Sequence, residues 1–246
     1  MSLTSTNPRP FLTASAIALS IIIAAWLIAK PWVTIRHAKP IVVKGTAEHN
    51  VMADAGSLTS EVITLAKSNS QAYVDAGTQL EAVRQTAERV LQGEFKATEL
   101  GTSVVEVMEI DQQGRRTNKI DSYRVTRRLR IETADVAGLE QLGRALFDLN
   151  ANDLRINVIG PQFFVSDLDP IKLALVEKAT ANGKNRAEIM AKSSGEVLGP
   201  LISAKQGVIQ ITKRNSTETS SWGIYDTETI EKVVKLVVTL EYEIRG

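Results

Sequence analysis

Seven cations crowd the stretch from residue 115 to 130: Arg115, Arg116, Lys119, Arg124, Arg127, Arg128 and Arg130. Side chains alternate across a strand. A strand from Ser122 to Glu132 therefore puts Arg124, Thr126, Arg128, Arg130 and Glu132 on one face, and Tyr123, Val125, Arg127, Leu129 and Ile131 on the other. Arg124, Arg128 and Arg130 are then a candidate anion stripe, suited to phosphate, a lipid headgroup or an anionic polymer. The alternative is a solvated face whose charges are answered across the sheet by Glu106, Glu109 and Asp111 on the preceding strand. With those carboxylates so near, the solvated face is the favoured reading. Arg127 stands apart, because it shares its face with apolar residues and a buried guanidinium needs a partner.

Other chemistry has little material. The histidines are His37 and His49 alone, too few for a His-based triad or a His-rich metal centre. Without cysteine there is no disulfide or thiolate, which suits an oxidising compartment without demonstrating one. Gly45, Gly56 and Gly77 are isolated and form no phosphate cradle. Asp167 and Asp169 flank a helix start, where capping explains them better than a cation does. His49 beside a turn reads as an ordinary surface or half-buried histidine, and Met108 and Met190 read as core filler. No catalytic, cofactor-binding or metal-binding residue is assigned, no cofactor is expected, and the chain is expected not to be an enzyme. The formal net charge of +1 supplies no bulk field for a nucleic-acid partner.

The elements that must position these residues are legible from periodicity. Asp169 to Gly199 reads as a helical spine. Leu175, Ala179, Gly183, Ala187 and Ala191 recur every four residues on one face. A row with almost no side chain lets a sheet approach closely, and Gly195 is placed to end the helix in a left-handed turn. Strands precede it within Ile41–Ala66, with a turn around Asn50 to Ala55. A helix from Ser68 to about Leu91 carries the stripe Tyr73, Ala76, Leu80, Val83, Ala87 and Val90. Strands at Val104–Asp111 and Ser122–Glu132, a helix from Asp135 to about Asn150, and a strand at Ile156–Ser166 lead into the spine. Strands at Leu201–Thr212 and Glu231–Arg245 close the chain. The order β-β-α-β-β-α-β-α-β-β, with hairpins around lone helices, gives an α+β fold with mostly antiparallel sheet and packed helices.

Between the last two strands lies Lys213 to Thr229, far longer than a hairpin needs. Asn215 to Ser221 look disordered by composition. Trp222, Ile224 and Tyr225 do not, because exposed aromatic side chains are enriched at interface anchors, so these three are candidate oligomer contacts. The alternative is that Trp222 folds back on its own domain.

At the other end, Phe11 to Ala29 is nineteen residues without a charge, about the 20 that cross a bilayer. The plan is a tail at 1–10, a single transmembrane helix at 11–29, a linker at 30–39 and a domain at 40–246. Trp26 and Trp32 mark the membrane interface. No small-x-small cleavage site follows the apolar run before Lys30-Pro31, so it reads as uncleaved. Lys30, Arg36 and Lys39 outnumber the charges before the span and lean the domain towards the cytoplasm.

The chain resembles the SIMPL-domain family, the YggE-like and periplasmic-immunogen-like envelope proteins. The resemblance is carried by Val43-Lys44-Gly45 with the following strand pair, Tyr123 opening the alternating strand, Gln162-Phe163-Phe164-Val165-Ser166-Asp167, the alanine-spaced helix ending at Gly195 and Leu198-Gly199, and the final strand. Ala53-Asp54 stands where relatives usually carry Pro-Asp. The resemblance implies an envelope location and homo-oligomers, with a link to oxidative-stress defence and no assigned reaction. It overrides the charge lean and puts residues 40–246 in the periplasm, with the chain single-pass in a bacterial inner membrane. The expected function is a membrane-anchored scaffold, cage or binding module that self-assembles. Its expected partners are itself and the lipid bilayer through residues 11–29. The alternative is a small-ligand carrier or enzyme with a pocket between sheet and helices.

Overall fold

The computed structural model describes residues 18–28, 39–152 and 154–245. Helix α1 is described over residues 18–28. Among the described residues no helix is long and apolar enough to cross a membrane. This corrects the single transmembrane helix and, with it, the single-pass inner-membrane location. Residues 11–17 and 29 of the expected span lie outside the described residues, as do Trp32 and most of the 30–39 linker; Trp26 lies on α1.

The fold is α+β. The remaining elements are β1 (Lys39–Met52), β2 (Ala55–Ala66), α2 (Asn69–Val90), β3 (Phe95–Ile110), β4 (Arg116–Thr133), α3 (Val136–Asp148), a 3-10 turn (Leu149–Asn152), β5 (Ile156–Phe164), α4 (Asp169–Ser193), β6 (Val197–Gln206), β7 (Gln210–Lys213) and β8 (Glu231–Arg245). One sheet has the order β1-β8-β6 with β7 also on β8, and the other is β3-β4-β2-β5. The chain divides into two compact units. The larger holds Thr46–Ala179 and Gly207–Val237; the smaller holds Met1–Gly45, Thr180–Gln206 and Val238–Gly246.

In the larger unit every strand pair of β3-β4-β2-β5 is antiparallel. Alternation buries Leu58 and Val62 of β2 and Val125, Leu129 and Ile131 of β4. Leu80, Val83 and Ala87 of α2 and Leu139, Leu142 and Leu146 of α3 pack with them in or beside one core. Removing each such leucine from water is worth about 1.5–3 kcal/mol. The helices start where their caps dictate. Ser68 Oγ accepts from Gln71 N at 3.2 Å, and Asp135 Oδ1 from Gly138 N at 2.8 Å. Tyr73, placed on the buried stripe of α2 by its spacing, is half exposed, and Ala72 takes the buried position beside Ala76 and Val125.

In the smaller unit the small-residue row of α4 is a packing face. Gly183, Ala187 and Ala191 are buried. A Cβ on Gly183 would stand 2.7 Å from Leu240 Cδ1 and 3.2 Å from Gly45 Cα. Gly195 has φ +79°. Around it Glu196 N donates to Ala191 O at 2.9 Å and Gly195 N to Lys192 O at 3.2 Å, the paired bonds of a Schellman cap. The strand expected at Leu201–Thr212 is two strands. Gly207 separates them, its N donating to Val237 O at 2.8 Å.

Candidate interaction site

The loop between β7 and β8 is held from below by a lysine. On β8, Val234, Leu236, Val238, Leu240 and Tyr242 are buried, and Lys232 is in phase with them at 1% exposure. An ammonium at an apolar-facing position requires partners. Asp226 supplies them, its carbonyl at 2.5 Å and its Oδ2 at 3.1 Å from Lys232 Nζ. The Thr229 hydroxyl donates to the same carboxylate oxygen. Burial raises the Asp226 pKa, but the Thr229 hydroxyl and the Lys232 ammonium more than offset it and hold the carboxyl below its usual range. Lys232 was detectable from its even-numbered phase with Val234 and Leu236, but was not singled out.

Backbone bonds fix the rest of the loop. Ile211 N donates to Ile224 O, and Asp226 N to Ile211 O, both at 2.8 Å. Phe163 N donates to Thr227 O at 2.8 Å and Ala53 N to Ile230 O at 2.9 Å. A proline at 53 would lack that last donor. Gln210 Nε2 reaches Ser220 O at 2.7 Å and Lys235 Nζ reaches Ser216 O at 3.0 Å. The disorder expected of Asn215–Ser221 is therefore corrected: side chains of β7 and β8 hold two of its carbonyls, those of Ser216 and Ser220.

The three candidate contact residues separate within this frame. Tyr225 Oη accepts from Val165 N at 3.1 Å, and its ring lies 6.3 Å from that of Phe164. Ile224 is half-buried. Both tie the loop to its own unit. Trp222 is 93% exposed. It precedes Gly223, whose φ of +89° makes a turn against Val208. The result is a braced loop with an indole at its tip.

The arginines divide as alternation predicts, by face. Arg127 lies on the helix-covered face, with Nη2 2.6 Å from Glu99 Oε2 and its guanidinium 5.2 Å from the centre of the Tyr73 ring. Arg124, Arg128 and Arg130 lie on the open face. In register they sit between Val105 and Leu65, Gly101 and Glu61, and Thr98 and Thr59. Arg128 pairs with Glu61 at 2.8 Å. Among the described residues no carboxylate lies within ion-pair distance of Arg124, Arg130 or Lys96. The carboxylates that spacing pointed to are elsewhere: Glu106 is in register with Tyr123 on the other face, and Asp111 holds Arg115 at 3.0 Å across the turn. Beside Arg130 the open face forms a depression of about 490 Å³ lined by Ala55, Gly56, Phe164, Lys96, Gln162 and Glu132, among others.

Asp54, in the β1–β2 turn, accepts from Ser166 Oγ at 2.6 Å and Ser166 N at 2.7 Å. The Ser166 hydroxyl chiefly holds its carboxyl below the usual range. Among the described residues no group of three or more His, Cys, Asp or Glu side chains is arranged to hold a metal ion. Asp167 accepts from Asp169 N at 3.2 Å and Asp169 pairs with Lys172 at 2.8 Å.

Two antiparallel sheets, helices on one face of the larger, and a braced aromatic loop define an α+β module. The chain belongs to the SIMPL family: its family model, described as a protein of unknown function (DUF541), matches residues 41–234. No curated protein matches the chain. Among solved structures it is similar to an amidase of the hydantoinase/carbamoylase family from Burkholderia multivorans, at 12% identity and a TM-score of 0.28. That match covers 55% of this chain and 32% of the amidase, and it carries no argument about fold or activity.

Proposed function

We propose that this SIMPL domain is a non-enzymatic module that self-assembles and works as a scaffold or binding surface. The observation that carries this reading is Trp222: an indole 93% exposed on a loop that eight hydrogen bonds or ion contacts from named neighbours hold in place. A large aromatic left in water is an unused apolar area, and ordering of its loop before contact lowers the entropy lost on association. A carrier with a pocket between sheet and helices is less well supported, because that interface is filled by leucine and alanine side chains. The link with stress defence rests on the family resemblance alone.

Light scattering of the full chain in mild detergent, which masks the apolar residues 11–29, tests the reading. The wild type is expected at a multiple of 26.8 kDa, and Trp222→Ser at a smaller mass with an unchanged melt. A wild-type monomer overturns the proposal, as does a Trp222→Ser variant of wild-type mass.

A further inference from the structure

We infer that the Trp222 loop of one copy docks on the open face of the β3-β4-β2-β5 sheet of a second copy, at the depression beside Arg130 and Lys96. This rests on the self-assembly just proposed and names its two halves.

The first argument is shape and composition. A depression of about 490 Å³ with Ala55, Gly56 and Phe164 among its lining residues is within the range of sites that take compact organic groups. Its polar groups include a lysine and an arginine with no ion-pair carboxylate. Among aromatic side chains an indole face is the best cation–π acceptor, and arginine is the commoner cation. Arg127 already uses that contact internally, against Tyr73 at 5.2 Å. Among the described residues Arg130 has no such partner of its own.

The second argument is charge. Lys213 to Thr229 carry Glu218, Asp226 and Glu228 against Lys213 and Arg214; Asp226 is committed to Lys232 and Arg214 meets Glu231. The open face carries Lys96, Arg124, Arg128 and Arg130 against Glu61 and Glu132. Glu61 is committed to Arg128 at 2.8 Å. Glu132, in register with Lys96, offsets only part of the remainder. The remaining loop acids, Glu218 and Glu228, and the basic face attract each other between copies.

The third is symmetry. Loop and depression adjoin within one unit, Tyr225 of the loop lying 6.3 Å from Phe164 of the depression, and at 93% exposure Trp222 does not occupy its own depression. A contact between unlike surfaces is either exchanged reciprocally in a two-fold dimer or runs head-to-tail into a ring or filament.

Complementation between two broken halves tests this. Trp222→Ser loses the loop and keeps the face; Lys96→Glu with Arg130→Glu loses the face and keeps the loop. Each full-length variant alone is expected at the 26.8 kDa monomer mass. Their equimolar mixture is expected at twice that mass, because one intact loop meets one intact face and growth then stops. A face variant that keeps the wild-type mass overturns the inference while leaving the self-assembly reading with Trp222. A mixture that stays monomeric overturns it too, since only a contact between unlike surfaces complements. A Trp222→Ser variant of wild-type mass overturns both. Should the glutamates disturb folding, Lys96→Gln with Arg130→Gln and salt replace them. Assembly mass is then expected to fall between 0.1 M and 1 M salt, as the screening length shrinks from about 10 Å to about 3 Å. A mass independent of both salt and the glutamine variant overturns the docking.

Discussion

The two faces of the β3-β4-β2-β5 sheet are built from alternate residues of the same strands, yet they do opposite things. Under α2 and α3 lie Leu58, Val62, Val125, Leu129 and Ile131, each at 1% exposure or less. On the other face lie Ser57, Thr59, Glu61, Arg124, Arg128 and Arg130, the three arginines exposed. Two adjacent arginines show what this changes. The Arg127 side chain is 14% exposed and is held by Glu99 and the Tyr73 ring; the Arg128 side chain is 57% exposed and meets Glu61. A charge beneath a helix must be answered inside the fold, because burying it alone is prohibitive. A charge on the open face has water, so Arg124 and Arg130 can stand unanswered. Their availability to a partner is a consequence of which face they are on, not of residue type.

The comparison breaks most sharply at its apolar end. Leu129→Ala, on the covered face, is expected to lose about 2–5 kcal/mol of stability through lost burial and a cavity under the helices. Urea unfolding with an unchanged m-value checks it; a loss below about 1 kcal/mol would mean that the helices do not pack on this face as described. Arg127→Ala comes next, at about 1–2 kcal/mol, from a lost charged hydrogen bond and cation–π contact. Glu99, 45% exposed in its side chain, returns to water and limits the damage. If Arg127→Ala costs no more than the same change at Arg128, the covered face confers nothing special on its arginine.

Much of this division was legible beforehand because it depends on period alone. Strand parity separated Arg127 from Arg124, Arg128 and Arg130, and four-residue spacing found the row Gly183, Ala187 and Ala191 with its stop at Gly195. What parity does not contain is the identity of the neighbouring strand. Arg128 is answered by Glu61, 67 positions away, across a pairing that only the assembled sheet defines. The same limit hid the Lys232–Asp226 latch, since Asp226 lies in a loop with no period. It also made Asn215–Ser221 look unstructured, because composition does not count donors arriving from Gln210 and Lys235. The break at Gly207 was lost inside Leu201–Thr212, where apolar residues on both sides of Lys205-Gln206-Gly207 let two short strands read as one long one. The apolar stretch 11–29 met the length rule for a span, whereas among the described residues no helix is long and apolar enough to cross a membrane.

The smallest expected effect is also the most diagnostic for the open face. Arg128→Ala removes an exposed guanidinium from a Glu61 side chain that is only 14% exposed. The cost near pH 7 is expected at about 0.5–1 kcal/mol, the upper range for an ion pair with one partner in water. Its pH dependence carries the information. The Arg128 hydrogen bond, with Asn157 second, holds the Glu61 carboxyl below its ordinary range in the folded chain. A carboxyl with a depressed folded pKa binds more protons when unfolded, so its contribution is complete above the unfolded value of about 4.3 and fades as pH falls through the folded one. In Arg128→Ala the carboxyl keeps Asn157 but loses its main stabiliser, and its folded pKa moves up towards the unfolded value. The stability gap between wild type and variant should then be widest above about pH 5 and shrink steadily in acid below about pH 4. Paired urea titrations across that window measure it. A gap that stays constant with pH would show that Arg128 acts by packing its stem on the sheet and not through Glu61, and the open face would then hold three arginines without an electrostatic partner instead of two.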